Sequence, residues 1–306
     1  MKPIVIKSNI FLEHDTKEHP ESIQRLISIY KEIKDIEDKL LIFEPKEAKE
    51  EDILKIHTLE HLNRVKEASK NQEALDLDTP TSTKSFLVAK YAAGAGLKAI
   101  DLIDNRVSNL AFCLIRPPGH HATPNKSMGF CLFNNIAILA KYAQSKGYKK
   151  VFIIDFDVHH GNGTQDCFYR DNSIFYFSTH QAFAYPGSGN PNEIGEGKGV
   201  GYTFNYPLMP NSTDKELLEA YQDELPKLIE KFNPDIILVS AGYDLHESDP
   251  LAMLDITYDG IDKMVNIILK LKQNTPKIFF LEGGYDVNAL AINVKNTLNS
   301  MIKHMN

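Results

Sequence analysis

The sequence is poor in cysteine: three residues, Cys113, Cys131 and Cys167, are scattered among 306, and no two form a Cys-x-x-Cys pair. This excludes a thiolate zinc site or a redox dithiol built from neighbouring cysteines, and suits buried thiols in a reducing compartment. No run of about 18 apolar residues occurs, so no membrane-spanning helix is expected, and the start, MKPIVIKSNIFLEHD, is too soon charged for a signal peptide. No proline- or serine-rich linker, internal repeat or low-complexity tract divides the chain. Basic residues are in deficit, 34 Lys and Arg against 41 Asp and Glu, for a net charge of −7. A dedicated nucleic-acid binder usually carries the opposite balance, because basic stripes release counterions from phosphates. A soluble cytoplasmic protein without a nucleic-acid or membrane partner is expected.

Motif absences narrow the chemistry. Gly161-Asn162-Gly163 lacks a third glycine, since Asp166 stands in its place, and the glycines at 195, 197, 199 and 201 lack the Lys-Ser/Thr ending of a phosphate-binding loop. No Gly-x-Ser-x-Gly elbow occurs and no cysteine has an evident neighbouring base, which disfavours covalent catalysis.

What is present is an ordinary globular composition, 42% hydrophobic and 25% charged. At about 150 residues per domain, length leaves one or two domains open. Short apolar runs at 109–115, 150–156, 173–178, 235–241 and 277–281 alternate with helix-period segments at 82–104, 134–144, 214–232, 258–273 and 287–302. That alternation predicts a parallel sheet between helices, and one α/β domain over 1–306. The charge run 46–55 reads as the solvated face of a helix, and the glycine-rich segment 181–201 as a long functional or mobile loop.

In parallel sheets, ligands bind beyond the carboxyl ends of strands. Four of these ends carry unusual residues: Arg116 to His121, Asp155 to Gly161, Ala241 to Asp244 and Glu282 to Tyr285. Asp155, Asp157 and His159 are spaced by two, so in extended backbone all three project to one side. Two acids at the end of an apolar strand demand a cation or hydrogen-bond donors; the blander alternative is that they cap the next helix. Asp157, His159 and Asp244 together offer three nitrogen or oxygen ligands and leave an open position for water, as a catalytic zinc site requires, although such a hard set also suits Fe²⁺, Mn²⁺ or Co²⁺. Adjacent His120 and His121 are costly to charge together, which suits one base and one electrostatic partner. Tyr285 follows a flexible Gly283-Gly284 turn and offers a phenol as an oxyanion donor, while His246 reads as a loop histidine rather than a fourth ligand.

Taken together, RPPGHHA at 116–122, GFCLFNN at 129–135, DFDVHHGNG at 155–163, Tyr243-Asp244 and EGGY at 282–285 resemble the zinc-dependent histone deacetylase family, including its bacterial deacetylase-like amidohydrolases. The likeness extends from His19-Pro20-Glu21 and Arg25 to Tyr285, and Asn162 with EGGY resembles the class II branch. The resemblance implies the arginase/deacetylase fold, a three-layer arrangement around a parallel sheet of about eight strands. It assigns Asp157, His159 and Asp244 to zinc, His121 to general base and proton donor, and Tyr285 to the oxyanion. It pairs His120 with Asp155, sets Asn162 to orient His121, and implies that acetate and a free amine are the products.

The same resemblance implies a potassium site at Asp155, Ser178 and the backbone of Asp157, His159 and Thr179, and a second near Phe168, Asp171, Ile174 and Tyr202. Its substrate tunnel would be walled by Phe130 and Tyr185, with Gly129 accepting the amide N–H. Leu251, seven residues past Asp244, stands where a polyamine-specific branch has a glutamate, which favours acyl-lysine in a protein or peptide over an acetylated small amine. Glu247 or an acid from a neighbouring loop could replace that charge. The competing expectations are an acetylpolyamine amidohydrolase, a binuclear manganese hydrolase of arginase type, and an inactive acyl-chain binder.

Overall fold

The computed structural model describes residues 1–305. Eight strands form one sheet: β1 (Ile4–Ile6), β2 (Leu41–Phe43), β3 (Leu110–Cys113), β4 (Val151–Asp155), β5 (Ile174–Gln181), β6 (Thr203–Leu208), β7 (Ile236–Ala241) and β8 (Lys277–Leu281). Their order is β2-β1-β3-β8-β7-β4-β5-β6, and every pairing is parallel. The central strands are buried end to end, which is why VFIID, IILVSA and KIFFL are each apolar at all but one position. The short strands β1 and β2, together with β6, were not among the expected runs; three apolar residues carry too little pattern to stand out.

The helices are α1 (Ile23–Glu32), α2 (Glu50–Ile53), α3 (Leu59–Asn71), α4 (Ser85–Asp104), α5 (Asn135–Ser145), α6 (Asn162–Phe168), α7 (Asp214–Glu219), α8 (Leu225–Phe232), α9 (Tyr258–Lys270) and α10 (Val287–Met305). They form two groups, α2 to α6 in one and α1, α7, α9 and α10 in the other, with α8 joined to the second through residues 220–224. Side chains from the preceding loops fix several starts: Asn134 accepts from the Ala137 amide at 3.0 Å and Thr257 from Gly260 at 3.2 Å.

Two expectations change. The helix anticipated over 214–232 is divided by a wide turn at Ala220–Glu224. Pro226 lies in the first turn of α8, where its missing N–H could not continue a regular ladder. The charge run 46–55 is mostly not helical: only Glu50–Ile53 coils, and Asp52 and Ile53 are buried. Residues 46–48 lie against α4, where a Cβ on Gly94 would meet the Lys46 carbonyl oxygen at 1.8 Å and the Ala48 amide bonds to the Lys90 carbonyl. Backbone packing on a glycine holds this segment. Cys113 and Cys131 are buried as expected, whereas Cys167 is partly exposed.

Candidate active site

Strands β3, β8, β7 and β4 are consecutive across the sheet, so the segments beyond their carboxyl ends converge. β4 ends at Asp155, and the backbone then bends through 157–159. The expected one-sided projection of three residues is therefore corrected. Asp155 turns away, placing Oδ2 3.1 Å from His120 Nδ1 and from the Tyr176 hydroxyl. Asp157 and His159 instead meet Asp244 from the end of β7, with one ligand atom from each within 4.8 Å of the others. His246 is not in this group; it bonds Ser248 Oγ at 2.9 Å and packs against the Tyr258 ring at 4.1 Å, tilted by 43°.

The trio suits a cation by construction. His159 Nδ1 lies 3.2 Å from both Asp157 Oδ1 and Asp244 Oδ2. Gly283 N–H donates to Asp157 Oδ2 at 2.8 Å and Val158 N–H to Asp244 Oδ1 at 3.0 Å, so backbone amides fix both carboxylates. A Cβ on Gly242 would lie 2.1 Å from Asp157 Oδ2, and one on Gly283 would lie 2.1 Å from Asp244 Oδ2. Only glycine admits the carboxylates at these two positions. Burial, then the neighbouring Asp157 charge, raises Asp244 to about 7, and burial likewise raises Glu282 to about 7. Buried acids so close together are the environment that a divalent ion relieves. The hard, nitrogen-and-oxygen donor set fits zinc and its harder neighbours.

The two histidines differ as their adjacency predicts. Their ring centroids are 4.0 Å apart. Burial disfavours charge on His120, but Asp157, Asp155 and Glu282 outweigh it and raise the imidazole to about 10. For His121, burial and then the charges of His120 and His159 hold it well below the ordinary histidine range. Its Nδ1 lies 2.8 Å from Asn162 Oδ1, leaving Nε2 free to accept a proton.

Beside this group lies a cavity of about 220 Å³ lined by Asp78, His121, Gly129, Phe130, His159, Tyr185, Leu251 and Tyr285. The tunnel residues expected from the sequence thus share one cavity. Gly129 has φ +54, and a Cβ there would lie 2.5 Å from His121 Cδ2. Tyr185 stands edge-on to His121 at 5.1 Å, and Phe130 edge-on to Tyr285 at 5.7 Å. Arg25 lies 5.2 Å from the Tyr285 ring and donates through Nε to the Gly284 carbonyl at 2.7 Å. Burial, then the Asp244 charge, holds the Tyr285 phenol well above its ordinary value and keeps it a donor.

Asp155 and Ser178 are register partners on β4 and β5, and Ser178 Oγ bonds His180 Nδ1 at 2.9 Å. Around the second expected potassium position, the Asp171 carboxylate pairs with Lys141 at 2.7 Å, and the Phe168 and Tyr202 carbonyls accept from the Asp171 and Tyr176 amides.

Several residues support the site in roles that the sequence did not indicate. Glu282 accepts from the amides of Gly119 at 2.7 Å and His120 at 3.2 Å and from Ser240 Oγ at 3.0 Å. Its signals were an acid following an apolar strand, as at Asp155 and Asp244, and its place in EGGY. Asp249 accepts from the Tyr285 amide at 2.6 Å, and Asp78 reaches the cavity from a loop with no motif of its own. Glu21, buried between Arg25 and Arg116, ties the amino-terminal segment to the start of the His-His turn.

Comparison with known proteins agrees with this geometry. Residues 18–301 match the family described as Histone deacetylase domain. A probable deacetylase of Archaeoglobus fulgidus is 36% identical, the match covering 90% of this chain and 79% of that protein. Histone deacetylase 14, chloroplastic, of Arabidopsis thaliana is 38% identical, over 95% of this chain and 74% of its own. The crystal structure of the HDA15 HD domain superposes with a TM-score of 0.93 at 32% identity, covering 97% of this chain and 90% of that one, so the arginase/deacetylase fold is shared. The chain belongs to the histone deacetylase family and is a hydrolytic deacetylase.

Proposed function

We propose that the protein removes an acetyl or other short acyl group from N-ε-acyl-lysine, acting as one catalytic domain over 1–306. The supporting observation is the adjacency of Asp157, His159 and Asp244 to His121 and Tyr285 on one narrow, largely apolar cavity. The trio would hold one zinc ion, which when bound supplies Lewis acidity toward the amide carbonyl and toward water. His121 Nε2 takes a proton from the attacking water and returns it to the leaving amine nitrogen. Asn162 holds the opposite ring nitrogen at 2.8 Å throughout. Tyr285 donates its hydroxyl proton in a hydrogen bond to the amide oxygen as charge develops there. His120, paired with Asp155, supplies a fixed positive charge behind the reacting atoms.

Phe130 and Tyr185 hold the lysine methylenes, with Gly129 and Leu251 completing the walls. A structural potassium ion is assigned to Asp155, Ser178 and the carbonyls of Asp157, His159 and Thr179, and a second to the surroundings of Phe168, Asp171, Ile174 and Tyr202. The substrate is an acyl-lysine protein or peptide in the cytoplasm; nucleic acid and membrane are not partners in this reading. No helix among the described residues is long and apolar enough to cross a membrane.

One observation favours a second reading. Asp78 lines the cavity that Leu251 leaves uncharged, and an acid there suits the far ammonium of an acetylpolyamine. The deciding experiment is turnover by the zinc-loaded enzyme of an acetyl-lysine peptide, acetylputrescine and acetylspermidine. A dominant polyamine rate replaces the first reading with the second, and no turnover of any of them ends both.

A further inference from the structure

The chain between β5 and β6 makes an excursion over 182–202 that carries Tyr185 into the cavity wall. Loops of this length ordinarily move. This one is fastened from beneath by two buried histidines that the proposed chemistry does not use. His160 Nδ1 bonds Ser188 Oγ at 2.8 Å and its Nε2 bonds Gln165 Oε1 at 3.0 Å. His180 Nδ1 bonds Ser178 Oγ at 2.9 Å, and Nε2 bonds the Gly189 carbonyl at 3.0 Å. The rings lie 4.8 Å apart and both are at most 2% exposed.

Glu193 closes the arrangement. Its Oε2 accepts from Gln165 Nε2 at 2.6 Å and the Gly189 amide at 3.1 Å, and its Oε1 accepts from the Asn190 amide at 3.0 Å. Gly189 has φ +88, and a Cβ there would stand 2.4 Å from His180 Nε2, so the loop backbone is pressed onto the imidazole. All four imidazole nitrogens have partners. Buried polar groups satisfied in this way fix one geometry, because each alternative leaves a donor or acceptor bare.

We infer that His160, His180 and Glu193 are positioning residues that latch residues 188–193 in place and thereby set Tyr185 as a rigid wall of the substrate cavity. Ser188 and Gly189 lie three and four residues beyond Tyr185, so little slack separates latch and wall. His160 also follows His159 directly, which makes the metal-facing segment and the rim loop one hydrogen-bonded unit. Tunnel width is then set from within the protein before substrate arrives. The inference rests on the cavity being the substrate tunnel of the proposed function.

The test uses loop-side variants, Glu193→Ala and Ser188→Ala, which leave the 155–160 segment unaltered. Hydrogen exchange at the 182–190 amides should accelerate in Glu193→Ala while zinc per chain stays at the wild-type value. With the acetyl-lysine peptide, KM in Glu193→Ala should rise about 5- to 10-fold, the scale of a lost charge-assisted hydrogen bond, with kcat within about twofold. Ser188→Thr, which keeps the hydroxyl, should retain wild-type KM. In a Tyr185→Ala background, Glu193→Ala should add less than about twofold, because the wall it positions is gone. An equal effect in both backgrounds, or unaltered exchange in Glu193→Ala, overturns the latch. Wild-type turnover tests the underlying function separately, and the exchange measurement remains decisive for the latch even if no acyl amine is hydrolysed.

Discussion

Asn162 Oδ1 accepts the Nδ1–H of His121 at 2.8 Å, so a neutral amide occupies the place beside the proposed base. A carboxylate there would stabilise the imidazolium, whereas an amide orients the ring without that charge. Asn162→Asp should therefore raise the acidic limb of the kcat/KM profile by about one pH unit. Asn162→Ala should lower kcat about tenfold, because the ring loses its anchor. Superimposable pH profiles for Asn162→Asp and wild type would remove His121 from the role of base.

Tyr285 separates binding from chemistry. Tyr285→Phe deletes only the hydroxyl, and the ring keeps its neighbours Arg25 and Phe130. Turnover should fall by about 10²-fold with zinc content and melting temperature unchanged. Near-wild-type kcat would show that another donor meets the developing charge.

Gly283 tests the cation site through a residue that coordinates nothing. Its absent Cβ would lie 2.1 Å from Asp244 Oδ2 and 2.6 Å from Asp157 Oδ2. Gly283→Ala must displace both carboxylates, and zinc retained after dialysis should fall well below that of wild type. Zinc added to the metal-free wild type should raise Tm by mass action, and that rise should vanish in Asp157→Asn.

In the proposed function, selectivity would turn on two cavity residues of opposite character, Leu251 and Asp78. Leu251→Glu should raise kcat/KM for acetylspermidine relative to an acetyl-lysine peptide by about tenfold, the scale of one new charge pair. Asp78→Asn should move the same ratio the other way. If neither variant alters the ratio, the second amine is not read at this end of the cavity.

Acid stability should depend on Glu21. Burial alone would raise its pKa, but the Arg116 guanidinium and then Arg25 pull it from an ordinary 4.5 to about 2. A carboxyl depressed on folding stabilises the protein above its unfolded value, and the gain disappears as pH falls from about 4.5 to about 2. The difference corresponds to about 3 kcal/mol. In urea melts, Glu21→Gln should be destabilised relative to wild type at pH 7, and the gap should shrink across that acidic window. A gap independent of pH would mean that shape rather than charge matters at this position.

What was legible in the sequence followed burial and spacing. Strands β4, β7 and β8 announced themselves because both faces are covered, so four or more apolar residues run together in each before an acid follows at or within a few residues of the end. Those ending residues carried the site: Asp155, Asp244 and Glu282 each stand at or just beyond a strand end. The direction of each side chain was not legible. Period-two spacing holds only while the strand continues, and β4 stops at Asp155, so that carboxylate turns to His120 while Asp157 and His159 face Asp244. Asp78 and Asp249 were hidden for another reason: they act from loops whose positions depend on distant segments.

The strand order has a consequence for how the molecule is assembled. β8, the last strand in chain order, inserts between β3, which ends at Cys113, and β7, which starts only at Ile236 after β4, β5 and β6 have been made. Until residues 277–281 emerge, β3 and β7 each present an unpaired inner edge, the arrangement most exposed to wrong pairing between chains. The Gly283 amide that fixes Asp157 and the Glu282 carboxylate that holds the Gly119-His120 turn arrive with the same strand. Pairing of the two central strands and support of the proposed cation site thus depend on one segment, the last of the eight strands to be made.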